Sequence, residues 1–428
     1  MKPLKKKIAV VGAGISGLTC AYELQKAGFD VVVYEKNERV GGRMASRTKD
    51  GFVFDIGADH LCNLYTHMQA YCVEFGIQWE PMRFLKYAVA KQGKIVSMDD
   101  AIGVISRLRL ALQYFRTNKK GDIFDLSELA VDDNPDESGY EFMVKRIGKE
   151  ASDYLVDAYS TTYQFHRASE ISKGALMGIL YSLKTSLHGW ELHRTQGGMQ
   201  ALPDAFAARL NVQCGHAVLN VTTDADGCLV DGERFDAVVM ASTANMTDVI
   251  YTNPTAAQKH ILQQARYAAS ISIAFRVPRE LLPNIAVVWV PFVESSMISG
   301  MVNESMKGEE VTTETDTLLC TWLHEDFARS IMDKTDEEIF AIVKPELLRI
   351  CPWFSNEHQL LGHDLQRWHQ AMPKFTPGYL AEVKNFSING QGDQNVFFCG
   401  DYMNSLWTEG ALRGGQRTAA QVVRKLAA

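Results

Sequence analysis

Lys7-Ile8-Ala9-Val10-Val11-Gly12-Ala13-Gly14-Ile15-Ser16-Gly17 is the stretch that decides how this chain reads. An apolar run long enough for one buried strand ends at Gly12. Glycines then recur at 12, 14 and 17, and a helix-like segment follows as far as Gly28. A second apolar run, Val31-Val32-Val33-Tyr34, stops at an acid, Glu35. Strand, glycine turn, helix, strand and acid in this order mark a dinucleotide-binding unit. The glycines permit a tight turn, close approach of backbone to a pyrophosphate and close packing of helix on strand. The helix start favours anions through its free N–H groups and its dipole, and the acid would accept hydrogen bonds from ribose hydroxyls.

Downstream of Glu35 the chain adds something a simple nicotinamide-binding unit does not need. Lys36-Asn37-Glu38-Arg39-Val40-Gly41-Gly42-Arg43 brings a second glycine pair followed by a guanidinium suited to bidentate phosphate contact. Such a turn can close over a longer cofactor. At the other end, Asn395-Val396-Phe397-Phe398-Cys399-Gly400-Asp401 is a further strand ending in an acid, and Glu409-Gly410-Ala411-Leu412-Arg413-Gly414-Gly415 opens a helix. On these residues the chain resembles the FAD-dependent flavin amine oxidoreductase superfamily, which includes amine oxidases, protoporphyrinogen oxidases and phytoene desaturases. Gly197-Gly198-Met199-Gln200-Ala201-Leu202, His216-Ala217-Val218 and Asp236-Ala237-Val238-Val239-Met240-Ala241 resemble its middle segments.

The resemblance implies an α/β fold: a discontinuous Rossmann-type FAD-binding domain (1–75, 196–270 and 385–428) with an α+β substrate domain (76–195 and 271–384). It implies non-covalent FAD, because the local motif of the family's covalent cysteine is missing around Cys399. It also implies cofactor contacts at Gly12, Gly14, Ser16, Gly17, Glu35, Lys36, Gly42, Arg43, Val218, Gly400, Asp401 and Ala411. Members usually carry a small residue where Arg413 stands.

Three looser segments resemble the protoporphyrinogen oxidase and desaturase-like branch: Tyr140–Tyr163, Val290–Lys307, and Arg367-Trp368 through Gly378-Tyr379. That branch implies an oxidase or dehydrogenase taking hydride from a bulky, largely apolar or conjugated small molecule, with oxygen or a quinone as acceptor. Two alternatives stand beside it. The first is an amine oxidase acting on a mono- or polyamine, with Tyr379 and Trp407 as a partial aromatic cage. Against it, the lysine that amine oxidases place on the strand approaching the flavin aligns with Ser270. The second is a flavin-binding protein without turnover. His60, after a strand expected to reach the flavin, is the candidate proton acceptor, since imidazole is the side chain that changes charge near neutrality. A structural histidine is the plainer reading.

A net charge of −7 argues against nucleic acid as a main partner. Eight cysteines without a Cys-x-x-Cys pair or zinc spacing suggest reduced thiols and a cytoplasmic location, with no metal site. The lysine-rich start lacks a long apolar core, so no signal peptide is expected. No second glycine fingerprint for NAD(P)H is found. Ala101 to Phe115 has apolar residues at helical spacing flanked by Arg107, Arg109 and Arg116. Peripheral contact with an anionic membrane is one reading of it; a solvated helix with one face in the core is the other.

Overall fold

The computed structural model describes residues 5–117, 121–185, 190–308 and 311–427. Its organising element is a five-stranded parallel sheet in the order Asn211–Gln213, Asp30–Tyr34, Lys7–Val11, Ala237–Met240, Val396–Phe398. Ile8, Val10, Val33, Val238 and Val239 are fully buried, as both-face burial of parallel strands requires. The helix Ile15–Lys26 follows the first strand, and the final helix Trp407–Ala427 lies against it.

These two helices meet with almost no side chain between them. A Cβ on Gly415 would collide with the Ser16 carbonyl and stand 3.1 Å from the Cys20 nitrogen. The Ser16 hydroxyl and the Cys399 thiol are 2.9 Å apart across the same seam. The chain's last segment is thereby pinned to its first glycine turn.

The second layer is a seven-stranded sheet in the order Gly362–Lys374, Arg266–Pro278, Asp316–Leu323, Ile298–Asn303, Val287–Trp289, Tyr87–Lys91, Lys94–Ser97. It is antiparallel except where Val287–Trp289 pairs with Tyr87–Lys91. The strand bearing Ser270 begins at Arg266, across the expected boundary at 270, with a register shift against Gly362–Lys374 between Ala268 and Ser270. The helix Asp336–Ile350 buries Ile339, Val343, Leu347 and Ile350 against this sheet. A helical layer comprising Val104–Arg116, Gly139–Ile147, Ala158–Gln164 and Lys173–Thr185 completes the architecture. The helix Gly139–Ile147 starts with a capping box: Ser138 accepts from the Glu141 N–H, and the Glu141 carboxylate accepts from the Ser138 N–H.

The seam between first and last helix gives a direct test. Gly415→Val should lower unfolding stability by roughly 1–3 kcal/mol, the usual cost of overpacking, read by chemical denaturation. An unchanged midpoint would show that the two helices are not in this contact.

Candidate active site

The cofactor cradle is built from backbone. Gly12 sits at φ +111°, and a Cβ there would stand 2.9 Å from the Ala241 carbonyl. Gly17 is equally constrained: its Cβ would strike the Gly12 carbonyl, so only glycine lets the helix approach the strand. Gly14 differs. A Cβ there meets nothing within 4 Å, and Gly14 starts the helix Ile15–Lys26 with no side-chain cap. The first-turn N–H groups thus have no side-chain acceptor, the arrangement that receives an anion.

The second glycine turn is fastened to the first. The Gly41 N–H donates to the Ala13 carbonyl at 2.8 Å, and a Cβ on Gly42 would lie 3.5 Å from the Gly14 Cα. Arg43 makes a two-pronged contact with Asp401, at 2.8 and 3.0 Å, and donates to the Ala371 carbonyl at 3.0 Å. Glu35 is buried at the end of its strand. One carboxylate oxygen accepts from the Ala13 N–H at 2.9 Å and the other from the Asn37 backbone N–H at 3.0 Å and side-chain amide at 2.6 Å, which leaves capacity on the first oxygen for a hydroxyl donor. The segment leading to Val218 is tied alongside by the His216 N–H, which donates to the Glu35 carbonyl at 2.8 Å. Lys36 is exposed; Gly400 precedes Asp401 at the end of the fifth strand, and Ala411 is buried in the first turn of the last helix. The donor set suits an extended anionic group with a ribose at the Glu35 end.

Arg413 points elsewhere. Its guanidinium is bound by Glu409 (2.7 Å) and Asp122 and lies 5.0 Å from the Phe124 ring centre, while Glu409 also accepts from the His67 and Met68 N–H groups. It ties the last helix to neighbouring segments.

Beyond the start of the last helix lies a cluster of aromatic rings. Tyr159 and Tyr163, one turn apart on Ala158–Gln164, have centroids 5.1 Å apart. Trp289 lies 5.6 Å from Tyr159, and its indole N–H donates to the Tyr163 hydroxyl at 3.3 Å. Trp190 crosses Trp407 at 5.4 Å and 90°, and both approach Tyr159. Trp407 is held at φ +64°, a left-handed conformation that is an outlier for a bulky residue and marks stored strain. The Tyr159 hydroxyl and the Trp190 indole N–H are buried without hydrogen-bond partners. A π-helical turn, Ser152–Asp157, leads directly into the tyrosine-bearing helix.

Tyr379 is not part of this ring cluster. The face Tyr379, Leu380, Val383 and Phe386 of its helix packs into the cluster around Val396–Phe398, and its hydroxyl donates to the Tyr402 carbonyl at 3.1 Å. No ring contact joins it to Trp407 among the described residues. The expected Tyr379–Trp407 pair is thus replaced by Trp190–Trp407. Ser270 is buried on its strand with its hydroxyl donated to the Leu323 carbonyl at 2.9 Å.

His60 stands at the ring cluster's edge, 5.8 Å from the Tyr163 ring, with Nδ1 3.1 Å from an Asp59 oxygen. Behind it is a buried charge cluster absent from the sequence reading. The Lys307 ammonium lies 2.8 Å from Asp55, 2.7 Å from Asp59 and 2.6 Å from Glu304, all deeply buried. It occupies the centre that three converging carboxylates would otherwise offer to a cation. One ammonium cannot neutralise three carboxylates. Burial and the charge of Asp59 push the Glu304 carboxyl well above the usual range. Burial acts the same way on Asp59, but Lys307 and His60 outweigh it and hold that carboxyl below its ordinary value. Burial would likewise depress Lys307, yet the surrounding carboxylates keep its proton on. The consistent state is Lys307 charged, Asp59 ionised and Glu304 carrying a proton.

With that geometry in place, comparison with known proteins is decisive at the family level. The family model for flavin containing amine oxidoreductases matches residues 15–423. The chain belongs to that family. It is 30% identical over 166 residues to protoporphyrinogen oxidase 2, chloroplastic/mitochondrial, of Arabidopsis thaliana, a match covering 36% of this chain and 32% of the plant enzyme. It is 58% identical over 50 residues to a 4,4'-diapophytoene desaturase of Staphylococcus haemolyticus, covering 12% of this chain and 10% of that one. The matched stretches thus span a third or less of these relatives' lengths. Among solved structures, cyclohexylamine oxidase from Brevibacterium oxydans IH-35A superposes with a TM-score of 0.76 at 18% identity, over 99% of this chain and 100% of that one. Putrescine oxidase bound to putrescine gives 0.75 at 19%, over 98% and 99%. These structural likenesses establish the fold, a mixed α/β architecture.

The proton on Glu304 has a measurable consequence. The folded chain holds it where the unfolded chain, with an ordinary value near 4.5, has released it. Stability should therefore fall as pH rises from that value towards the raised one, by at most about 1.4 kcal/mol per pH unit. Glu304→Gln should flatten that slope in denaturation curves taken across pH 5–8; identical slopes would contradict the assignment. Lys307→Met, which strands buried carboxylates, should cost about 3–5 kcal/mol.

Proposed function

We propose that this protein is an FAD-dependent oxidase or dehydrogenase that removes hydride from a bulky, largely apolar or conjugated small molecule, as the protoporphyrinogen oxidase and desaturase-like branch does. The observation that carries the reading is the aromatic cluster beside the start of the last helix. Five rings, from Tyr159, Tyr163, Trp190, Trp289 and Trp407, offer flat apolar faces, and the Tyr159 hydroxyl and Trp190 indole N–H among them are buried with no hydrogen-bond partner among the described residues. A planar substrate can stack there with water excluded. Bound FAD, held non-covalently, supplies the hydride acceptor, and oxygen or a quinone takes the electrons afterwards. The division into cofactor segments (1–75, 196–270, 385–428) and substrate segments (76–195, 271–384) follows from the same reading, as does a cytoplasmic location for a chain with eight free thiols.

The chain's own residues divide the remaining work. Gly14 and the helix behind it receive the pyrophosphate, Arg43, held in place by Asp401, supports its far side, and Glu35 binds the ribose. His60 takes the substrate proton. Its Nδ1–H donates to Asp59, so Nε2 is the accepting atom, and the Asp59 charge stabilises the imidazolium that forms. Lys307 fixes Asp59 in that position.

The right-angle Trp190–Trp407 pair favours a second reading, a flavin amine oxidase that cages a substrate ammonium between rings. Steady-state assays with tetrapyrrole and polyene substrates, against mono- and polyamines, separate the two. Turnover confined to the conjugated class is expected; peroxide release with amines alone would overturn the first reading in favour of the second. Flavin that no panel member reduces would support a flavin-binding protein without turnover. In the active assay, His60→Gln should lower kcat by about 10²–10⁴-fold with FAD retained. An unchanged kcat would remove His60 from the mechanism.

A further inference from the structure

The helix Val104–Arg116 is turned inside out. Its buried residues are Ser106 and Gln113, with Leu110 half-buried between them. Exposed instead are Val104 (66%), Ile105 (70%), Leu108 (66%), Leu112 (48%) and Phe115 (72%). At about 100° per residue, the buried stripe occupies one side and these five apolar residues the opposite side. Arg107 borders the apolar face on one flank, and Arg109 and Arg116 border it on the other.

None of the three arginines is ion-paired among the described residues. Among the described residues, their one hydrogen bond runs from Arg107 to the Ile102 carbonyl of its own segment. The helix contains no acidic residue, although the whole chain carries a net charge of −7. Charge is thus segregated onto this one element, on both edges of an apolar strip. Guanidinium groups on long stems at those edges can reach outward while the strip is buried, the arrangement that suits an interface between hydrocarbon and anionic headgroups. A second copy of the chain fits poorly, because apposing two such faces would bring two sets of arginines together. No helix of the described residues is long and apolar enough to cross a membrane, so the helix would lie in the interface plane.

We propose that the helix Val104–Arg116 docks the protein on an anionic lipid surface, apolar face inward and arginines at the headgroups. The inference stands on surface chemistry alone and does not depend on the assigned reaction. The helix packs on Gly139–Ile147, which leads through the π-helical turn to Tyr159 and Tyr163, so the docked face lies on the helical layer that carries these two rings.

The test is flotation of the full chain with vesicles of phosphatidylcholine alone or with 30% phosphatidylglycerol. Binding is expected with the anionic vesicles, weakened by 0.5 M salt. Arg107→Gln, Arg109→Gln and Arg116→Gln should each reduce the partition constant about fivefold. Ile105→Ser/Leu108→Ser/Phe115→Ser should abolish binding while leaving the circular dichroism spectrum and melting temperature unchanged, since these side chains are exposed. No binding to anionic vesicles at low salt, or binding insensitive to both sets of changes, would overturn the proposal. A wild-type dimer in sedimentation velocity that the apolar triple variant makes monomeric would also overturn it, assigning the face to self-association.

Discussion

The close contact of the first and last helices is the constraint on which the rest of the molecule depends. With Gly415 against the Ser16 carbonyl and Cys399 against the Ser16 hydroxyl, the end of the chain is held at the open side of the Gly12–Gly17 turn. Asp401 consequently meets Arg43, and Ala411 and Trp407 stand at the cradle's edge. A site assembled from residues hundreds of positions apart needs such a fixed point, because each added flexible segment would cost conformational entropy on binding. The seam uses small residues because nothing larger would let a helix reach this close to the glycine loop.

The second layer builds outward from that fixed point. The seven-stranded sheet brings Trp289 from one strand and Lys307 from the turn after another to the same region as Asp55, Asp59 and His60. Aromatic rings line the near side and a buried ion cluster backs it. The two are coupled through His60, which touches Tyr163 on one side and Asp59 on the other. An uncompensated buried charge would be expensive; here Lys307 and a proton on Glu304 together offset two of the three carboxylate charges. The arrangement keeps Asp59 ionised inside a protein interior, which an isolated buried carboxylate would not be.

Much of this was legible in the chain and some was not, for identifiable reasons. The cradle was, because its requirements are local: glycines at 12, 14 and 17, an acid after a strand, and a glycine pair before Arg43. The branch of the family left looser traces, and the ring pair was misplaced. Tyr379 and Trp407 lie in the segments that resemble the family, but the helix bearing Tyr379 turns its buried face towards the parallel sheet. Trp190, Trp289 and Tyr159 come from three separate elements, and no spacing announces their meeting. The ion cluster was equally hidden, although Asp55 and Asp59 in an apolar stretch, and Glu304 three residues before Lys307, were signals that could have been paired. The helix Val104–Arg116 shows the limit most plainly. Its periodicity revealed an amphipathic helix, yet only the fold shows that the apolar side faces outward.

Under the proposed function, both ends of the chain form one site for non-covalently bound FAD. The most direct test is the absorption spectrum of the purified protein, followed by acid precipitation and mass analysis of the supernatant. The account expects flavin bands in the native protein and one equivalent of free FAD in the supernatant. A colourless protein that takes up no added FAD would contradict it, as would flavin that stays with the precipitate.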